Sequence, residues 1–177
     1  TTFTLPENWS DKRVYINFEG VGSAMYLWVN GKAVGYAEDM FTAKEFDLTG
    51  YVKTGENVLA VKVLRWSDGS WLENQDYFRL SGIIRDVYLY CTEDIRLRDF
   101  SLSTDFDSTY TDAVLKAEAY VHNYTASDTA GYSVKVRLFD KNGAEIALAG
   151  NISEAGTIAA GGENKITFRI PVSAPEI

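Results

Sequence analysis

Acidic and aromatic side chains are concentrated in one stretch of the sequence, RWSDGSWLENQDYFRLSGIIRDV, from Arg65 to Val87. Its most prominent candidates for contacting a ligand are Asp68, Glu73, Asp76, Trp66 and Trp71. The stretch lacks both the alternation of a β-strand and the apolar stripe of a helix, which predicts a loop held by a rigid scaffold. Aromatic faces stack on sugar C–H groups and carboxylates accept hydrogen bonds from hydroxyls, so carbohydrate recognition is one interpretation.

The same residue types also allow a structural interpretation. Trp66 and Trp71 could fill a core, and the acids could serve turns and ion pairs. Glycoside hydrolysis needs two carboxylates held about 5–9.5 Å apart across one bond. Acids this close together on one loop seldom face each other in that way, and we therefore predict no catalytic pair here. Residue types alone leave binding and structural roles both open.

The composition limits the class of protein. The chain has 177 residues, of which 46% are hydrophobic and 14% aromatic, enough for one large β domain or two smaller ones. Its net charge of −8 excludes a protein that follows nucleic-acid phosphates. No apolar run approaches the about 20 residues that cross a bilayer. We therefore predict neither a nucleic-acid nor a membrane partner.

His122 is the only histidine and Cys91 the only cysteine. One imidazole excludes a metal site built from several histidines, and the position of His122 within the strand-like AYVHNY predicts a structural role. One thiol cannot form a disulfide within the chain and fits a reducing compartment. We therefore expect a cytoplasmic location.

The residues before the acidic stretch predict its scaffold. Alternation from Val14 to Phe18 is typical of a half-buried strand. Asn30-Gly31 separates two strand-like runs and predicts a tight hairpin, because both residues tolerate positive φ. NVLAVKVL, residues 57–64, is apolar on both faces for much of its length and predicts a central strand.

The second half of the chain has plainer strands. All four tryptophans precede residue 94, and the later strand-like runs are those of residues 95–106, 113–124, 131–150 and 164–172, with an Asn142-Gly143 hairpin. The sequence thus predicts an all-β chain of two domains, 1–93 and 94–177. About five strands are evident in the second domain, where an immunoglobulin-like sandwich has about seven, so we expect it to be partial.

Three sequence motifs in the first domain resemble those of a known protein family. LWVNGKAVGYAED, EFDLT and GENVLAVKVLRWSDGSWLENQDYFRLSGIIRDV resemble the N-terminal jelly-roll, or sugar-binding, domain of the large β-galactosidases of glycoside hydrolase family 2. The resemblance covers residues 13–93. Residues 94–177 are more loosely similar to the immunoglobulin-like domain that follows. The implied fold is a jelly-roll sandwich followed by an immunoglobulin-like β-sandwich.

The resemblance also implies roles for three acids. The residue matching Asp76 contacts galactose hydroxyls in the active site of the neighbouring barrel and helps to hold a sodium ion. Asp68 and Glu38 resemble ligands of a magnesium site, although some members carry glutamine at the position of Glu38. Other ligands of this magnesium come from a segment N-terminal to Thr1, so we expect the parent enzyme, rather than this chain alone, to hold the ion.

The catalytic glutamates of the family lie on a downstream barrel, and no residue of this chain matches them. We therefore expect an N-terminal, non-catalytic part of a retaining β-galactosidase that is inactive alone. Its expected partners are its own catalytic barrel and, through the parent enzyme, a β-galactoside; the parent is expected to be a homo-oligomer. A free-standing carbohydrate-binding module and a purely structural or assembly domain are the alternatives.

Overall fold

The computed structural model describes residues 1–72, 76 and 80–175. The chain forms two compact units, Thr1–Glu93 and Asp94–Ile177. The regular secondary structure of the described residues is almost entirely β, and their helices are a 3₁₀ turn at Glu7–Trp9 and one α-helical turn, α1, at Gly69–Leu72. The all-β class predicted from the sequence is confirmed. No helix in the described part of the chain is long and apolar enough to span a bilayer.

The first unit contains two main antiparallel sheets. Its strands are β1 (Thr2–Leu5), β2 (Arg13–Phe18), β3 (Val21–Gly22), β4 (Ala24–Val29), β5 (Lys32–Glu38), β6 (Lys44–Asp47), β7 (Gly55–Leu64), β8 (Gly82–Ile83) and β9 (Val87–Thr92). One sheet has the order β1-β7-β4-β5 and the other the order β6-β2-β9, while β3 pairs with β8. The two larger sheets contribute to one apolar core.

The core of the first unit follows from side-chain alternation. Met25, Leu27 and Val29 of β4 are at most 1% exposed, and they belong to the same cluster as Val14 and Ile16 of β2. Each buried aliphatic side chain of this kind contributes roughly 1.5–3 kcal/mol relative to exposure. The strand predicted over residues 14–18 is therefore present, but the prediction that it is half-buried is wrong, because Tyr15 and Asn17 are buried as well.

The turn and the central strand that the sequence predicts are both present. Asn30 and Gly31 have φ values of 50° and 78°, and they join β4 to β5. β7 lies between β1 and β4, as a central strand should. Its apolar residues nevertheless do not bury both faces, because Val58 is 51% exposed and Ala60 and Lys62 are exposed on the same face. Only its other face reaches the core.

A buried amide connects the turns of the first unit. Asn57 is fully buried, and its Oδ1 accepts hydrogen bonds from the Lys53 backbone N–H at 2.9 Å and from Asn30 Nδ2 at 2.8 Å. The Nδ2 of Asn57 donates to the carbonyls of Lys53 and Gly55. The Oδ1 of Asn30 accepts a hydrogen bond from the Val58 N–H at 3.0 Å. This network fixes the start of β7 against the β4–β5 turn.

The second unit is built on one long antiparallel sheet. Its strands are β10 (Ile95–Phe106), β11 (Asp112–Asn123), β12 (Ser133–Lys135), β13 (Leu138–Phe139), β14 (Glu145–Ile146), β15 (Ile152–Glu154) and β16 (Glu163–Ser173). The long sheet has the order β10-β11-β16, and β12–β15 and β13–β14 form two short pairs. The sequence did not predict β15 or the break between β12 and β13.

Hydrogen bonds within the second unit repeat the use of a buried asparagine. Asn123 is fully buried; its Nδ2 donates to the carbonyls of Ser127, Ile158 and Ala159, and its Oδ1 accepts from Thr125.

His122 lies on β11, where the centroid of its ring is 4.0 Å from that of Tyr124. Its Nδ1 is 3.5 Å from Glu163 Oε2. These contacts agree with a structural role for His122.

The buried amide of Asn57 gives a stability prediction. We expect Asn57→Ala to lower the free energy of unfolding of the first unit by about 2–4 kcal/mol, because several buried polar groups lose their partners. Urea denaturation followed by tryptophan fluorescence measures this, since all four tryptophans lie in the first unit. Glu56→Ala, at an exposed neighbour, is the control. Equal midpoints for the two variants would contradict the role of Asn57.

Candidate functional site

Strand order brings Glu38 and Asp68 to the same end of one sheet. Glu38 is the last residue of β5 and is paired with Ala24, the first residue of β4. On the other side of β4, Ala24 is paired with Leu64, the last residue of β7. Because neighbouring strands lie about 4.8 Å apart, Glu38 and the segment that follows Leu64 lie within about two strand spacings. The register therefore positions the candidate site.

The segment after β7 folds into a turn that is held by serines. The Ser67 N–H donates to Ser70 Oγ at 3.0 Å, and the Ser70 N–H donates to the Ser67 carbonyl at 3.1 Å. The Asp68 carbonyl accepts from the N–H groups of Trp71 and Leu72, which closes α1. Ser23 Oγ, next to the start of β4, donates to Ser67 Oγ at 3.0 Å. The turn is thus anchored to the sheet through polar contacts.

Tyr36 connects the two acids electrostatically. Its hydroxyl donates a hydrogen bond to Glu38 Oε1. This bond is the largest cause that raises the pKa of Tyr36 to about 12, followed by partial burial and by the charges of Glu38 and Asp68. Nearby negative charge disfavours the phenolate, which explains the direction. Both predicted magnesium ligands, Glu38 and Asp68, therefore raise the pKa of Tyr36.

The second oxygen of Glu38 faces the turn that carries Asp68. A Cβ placed on Gly69 would lie 3.5 Å from Glu38 Oε2 and 3.3 Å from Ser67 Oγ. The Glu38 carboxylate therefore lies in contact distance of the turn. Asp68 itself is exposed, and Glu38 is half-buried. Among the residues that the structure describes, no three His, Cys, Asp or Glu side chains form a group able to hold a metal.

Asp76, the predicted sugar and sodium contact, is exposed and lies in a bend. Glu73, the other acid of this loop, lies outside the described residues. The roles of Asp76, Asp68 and Glu38 stay predictions. The structure brings Glu38 and Asp68 to one site.

The two tryptophans of the loop are not core residues. Trp66 is 64% exposed and Trp71 is 80% exposed, and Leu72 beside them is 81% exposed. The interpretation of Trp66 and Trp71 as packing side chains is therefore wrong. The two indole rings can stay exposed because hydrogen bonds from serines and backbone groups, rather than apolar packing, fix this turn.

Sequence reasoning missed Tyr36 as a member of the site. The signal was available, because residues two apart on a strand share a face, and Tyr36 and Glu38 are both on β5. A separate cleft of about 560 Å³ contains none of the three acids in its lining, which includes Phe18, Leu59 and Ile83. We therefore place the candidate site at the exposed end of the sheet and its loop.

Comparison with known proteins identifies relatives of the sequence. The family model described as glycosyl hydrolases family 2, sugar binding domain, matches residues 1–93. A β-galactosidase of Priestia megaterium is 50% identical over 148 residues, which are 84% of this chain and 14% of that protein. A β-galactosidase of Clostridium acetobutylicum is 41% identical over 152 residues, or 86% of this chain and 16% of that protein. The chain thus spans less than a fifth of these relatives.

Solved structures share the fold at lower identity. A Bacteroides uniformis β-glucuronidase matches with a TM-score of 0.86 at 22% identity, covering 100% of this chain and 22% of that one. A putative β-galactosidase of Bacteroides fragilis matches with a TM-score of 0.84 at 20% identity, covering 100% of this chain and 27% of that one. These likenesses extend over both units and support the architecture.

The contact between Tyr36 and Glu38 gives a titration prediction. Glu38→Gln removes the negative charge beside the phenol, so we expect the pKa of Tyr36 to fall from about 12 towards its ordinary value. The measurement is the alkaline absorbance difference between each protein and its Tyr36→Phe counterpart. Glu45→Gln is the matched control, because it removes a similar acceptor from Tyr90 instead. An unchanged titration of Tyr36 in Glu38→Gln would refute the assignment.

Proposed function

Since the chain belongs to glycosyl hydrolase family 2 through its sugar binding domain, we propose that it is the N-terminal, non-catalytic part of a β-galactosidase. The parent enzyme would release terminal, non-reducing β-D-galactosyl groups. The observation that carries this proposal is the 50% identity to a β-galactosidase over 84% of the chain. The matched part is 14% of that relative. From the family resemblance, we propose that the hydrolytic groups lie on a downstream barrel.

Asp76 is the residue of this chain that we propose to contact the sugar. An ionised carboxylate accepts hydrogen bonds from sugar hydroxyls, and such charge-assisted bonds are stronger than neutral ones. Its exposed position supports this role, because the carboxylate is accessible to a partner. Asp76 would orient the galactose while two barrel carboxylates, about 5–5.5 Å apart in a retaining enzyme, carry out the displacement. The site would be complete only with both parts.

Glu38 and Asp68 are proposed as magnesium ligands of the parent enzyme. Mg²⁺ prefers oxygen ligands, keeps several waters and is commonly bound through one or two carboxylates, so this pair fits its chemistry. The effect of both acids on Tyr36 supports their proximity. In isothermal titration of the complete enzyme at neutral pH, we expect magnesium to bind markedly more weakly to Asp68→Asn than to wild type, because one carboxylate ligand is lost. Sodium at Asp76 is proposed from the family resemblance alone.

The remaining partners follow from the same proposal. The catalytic barrel of the same polypeptide is the partner of this chain, and the parent enzyme is proposed to be a cytoplasmic homo-oligomer. The net charge of −8 is unfavourable for nucleic-acid phosphates, so we propose no nucleic-acid partner.

The exposed tryptophans favour one alternative function, a free-standing carbohydrate-binding module. Trp66 and Trp71 present large aromatic surfaces, as expected of a module that binds sugars without a catalytic partner. A module of that kind would bind galactose or lactose by itself. A chain that supplies part of a shared site would not bind them measurably.

Two measurements on residues 1–177 separate these functions. We expect no turnover of a chromogenic β-galactoside above background, because the chain has no residue matching the catalytic glutamates of the family. We also expect no heat of binding with galactose or lactose in isothermal titration. Turnover by the purified chain would overturn the non-catalytic assignment. Sub-millimolar sugar binding that is lost in Trp71→Ala would favour the module instead.

A further inference from the structure

The loop of residues 68–81 is bonded to one short segment of the first unit at both of its ends. At its first end, the hydroxyl of Ser23 donates to Ser67 Oγ at 3.0 Å. At its second end, Gly82 pairs with Gly22 in the antiparallel contact between β8 and β3. Consecutive Cα atoms are at most about 3.8 Å apart, so the two ends of the loop are attached at neighbouring points. We call Gly22 and Ser23 the loop anchor.

The loop anchor is itself buried and held from several sides. Gly22 and Ser23 are buried, and Val21 before them is 3% exposed within the apolar core. A Cβ placed on Gly22 would lie 2.2 Å from Met40 Cε, so the Met40 side chain packs directly over this residue. The Ser23 N–H donates to the Leu64 carbonyl at 2.8 Å, which ties the anchor to the end of β7. The loop is therefore attached to a fixed point of the scaffold.

The two attachments use different atoms of the loop anchor. The pairing of Gly22 with Gly82 is made by the backbone and needs no side chain. The contact with Ser67 is made by the Ser23 hydroxyl, which also lies 3.2 Å from the Leu64 carbonyl. Alanine in place of Ser23 would keep the backbone N–H bond to Leu64 and lose the bond to Ser67. One hydroxyl can therefore be removed without a change in the strand pairing.

We propose that Ser23 is a positioning residue for Asp76. Asp76 lies between the two attachments and is exposed in a bend. Holding both ends of a loop restricts the conformations of the residues between them, because the loop is closed before a ligand binds. A group that contacts a substrate is effective only in the productive geometry, and a displacement of about 1 Å can cost on the order of 100-fold in rate. The Ser23 hydroxyl acts on catalysis through the orientation of the Asp76 carboxylate.

The turn at the first end of the loop also carries Asp68, which gives Ser23 a second possible route of action. The Asp68 carbonyl accepts from the N–H groups of Trp71 and Leu72, so the turn behaves as one hydrogen-bonded unit. An effect through Asp68 would be independent of the Asp76 carboxylate. An effect through Asp76 disappears when that carboxylate is removed. A double-mutant cycle separates the two routes.

The test is this cycle in the complete enzyme with a chromogenic β-galactoside. We expect Ser23→Ala to lower kcat/KM about tenfold, because the loop loses its attachment at Ser67 and Asp76 is less well oriented. In an Asp76→Asn background, Ser23→Ala should change kcat/KM by less than about twofold, since the carboxylate to be positioned is absent. A purely structural role of Ser23 predicts the same loss in both backgrounds. Ser10→Ala, at an exposed serine of the same unit, is the control and should leave kcat/KM unchanged.

Ser67→Ala repeats the test from the other side of the hydrogen bond. We expect it to lower kcat/KM about tenfold as well, and the double variant Ser23→Ala/Ser67→Ala to lose no more, because both changes remove the same bond. Ser67 is only half-buried, so this variant decides the question if Ser23→Ala does not fold. Thermal unfolding followed by circular dichroism establishes that each variant is folded at the assay temperature.

Two results would overturn the inference. The first is equal kcat/KM for Ser23→Ala, Ser67→Ala and Ser10→Ala. The second is an equal loss from Ser23→Ala with and without Asp76→Asn, which would assign Ser23 to the fold or to the turn of Asp68. The inference rests on the proposed function in that Asp76 contacts the sugar. If Asp76→Asn alone leaves kcat/KM unchanged, the proposed function fails; if Asp76→Asn lowers it and Ser23→Ala does not, only the inference fails.

Discussion

The register of the four-stranded sheet in the first unit depends on a buried amide. Asn57 bonds to the turn before β7 and, through Asn30, to the turn between β4 and β5. With these ends fixed, the opposite ends of the same strands carry Glu38 and the turn of Asp68. A slip of one residue would move every side chain to the other face, and Glu38 would then point into the core. The candidate site thus depends on contacts far from it.

Local signals made much of this fold predictable. Asn30-Gly31 has positive φ at both positions, as the hairpin prediction requires, and the strand-like run of residues 95–106 matches the strand that forms there. The exposure of Val58 was not predictable, because apolar content does not show which layers cover a strand. Residue types left the exposure of Trp66 and Trp71 open, because the turn that carries them is fixed partly by a hydrogen bond from Ser23, which is distant in the sequence.

The candidate site was predictable only in part. Family motifs indicate Asp76, Asp68 and Glu38, whereas the structure adds Tyr36, whose hydroxyl binds Glu38. The exposed acids and tryptophans of the first unit lie in the part of the chain that matches the sugar binding domain of glycosyl hydrolases family 2.

The central claim is that Asp76 binds the sugar in a site shared with the barrel. The most direct measurement is kcat/KM of the complete enzyme carrying Asp76→Asn, compared with Asp86→Asn as a nearby exposed acid. We expect a loss on the order of 100-fold for Asp76→Asn, because a charge-assisted contact to the substrate is removed, and less than about twofold for Asp86→Asn. Equal kcat/KM values for the two variants and wild type would contradict the account.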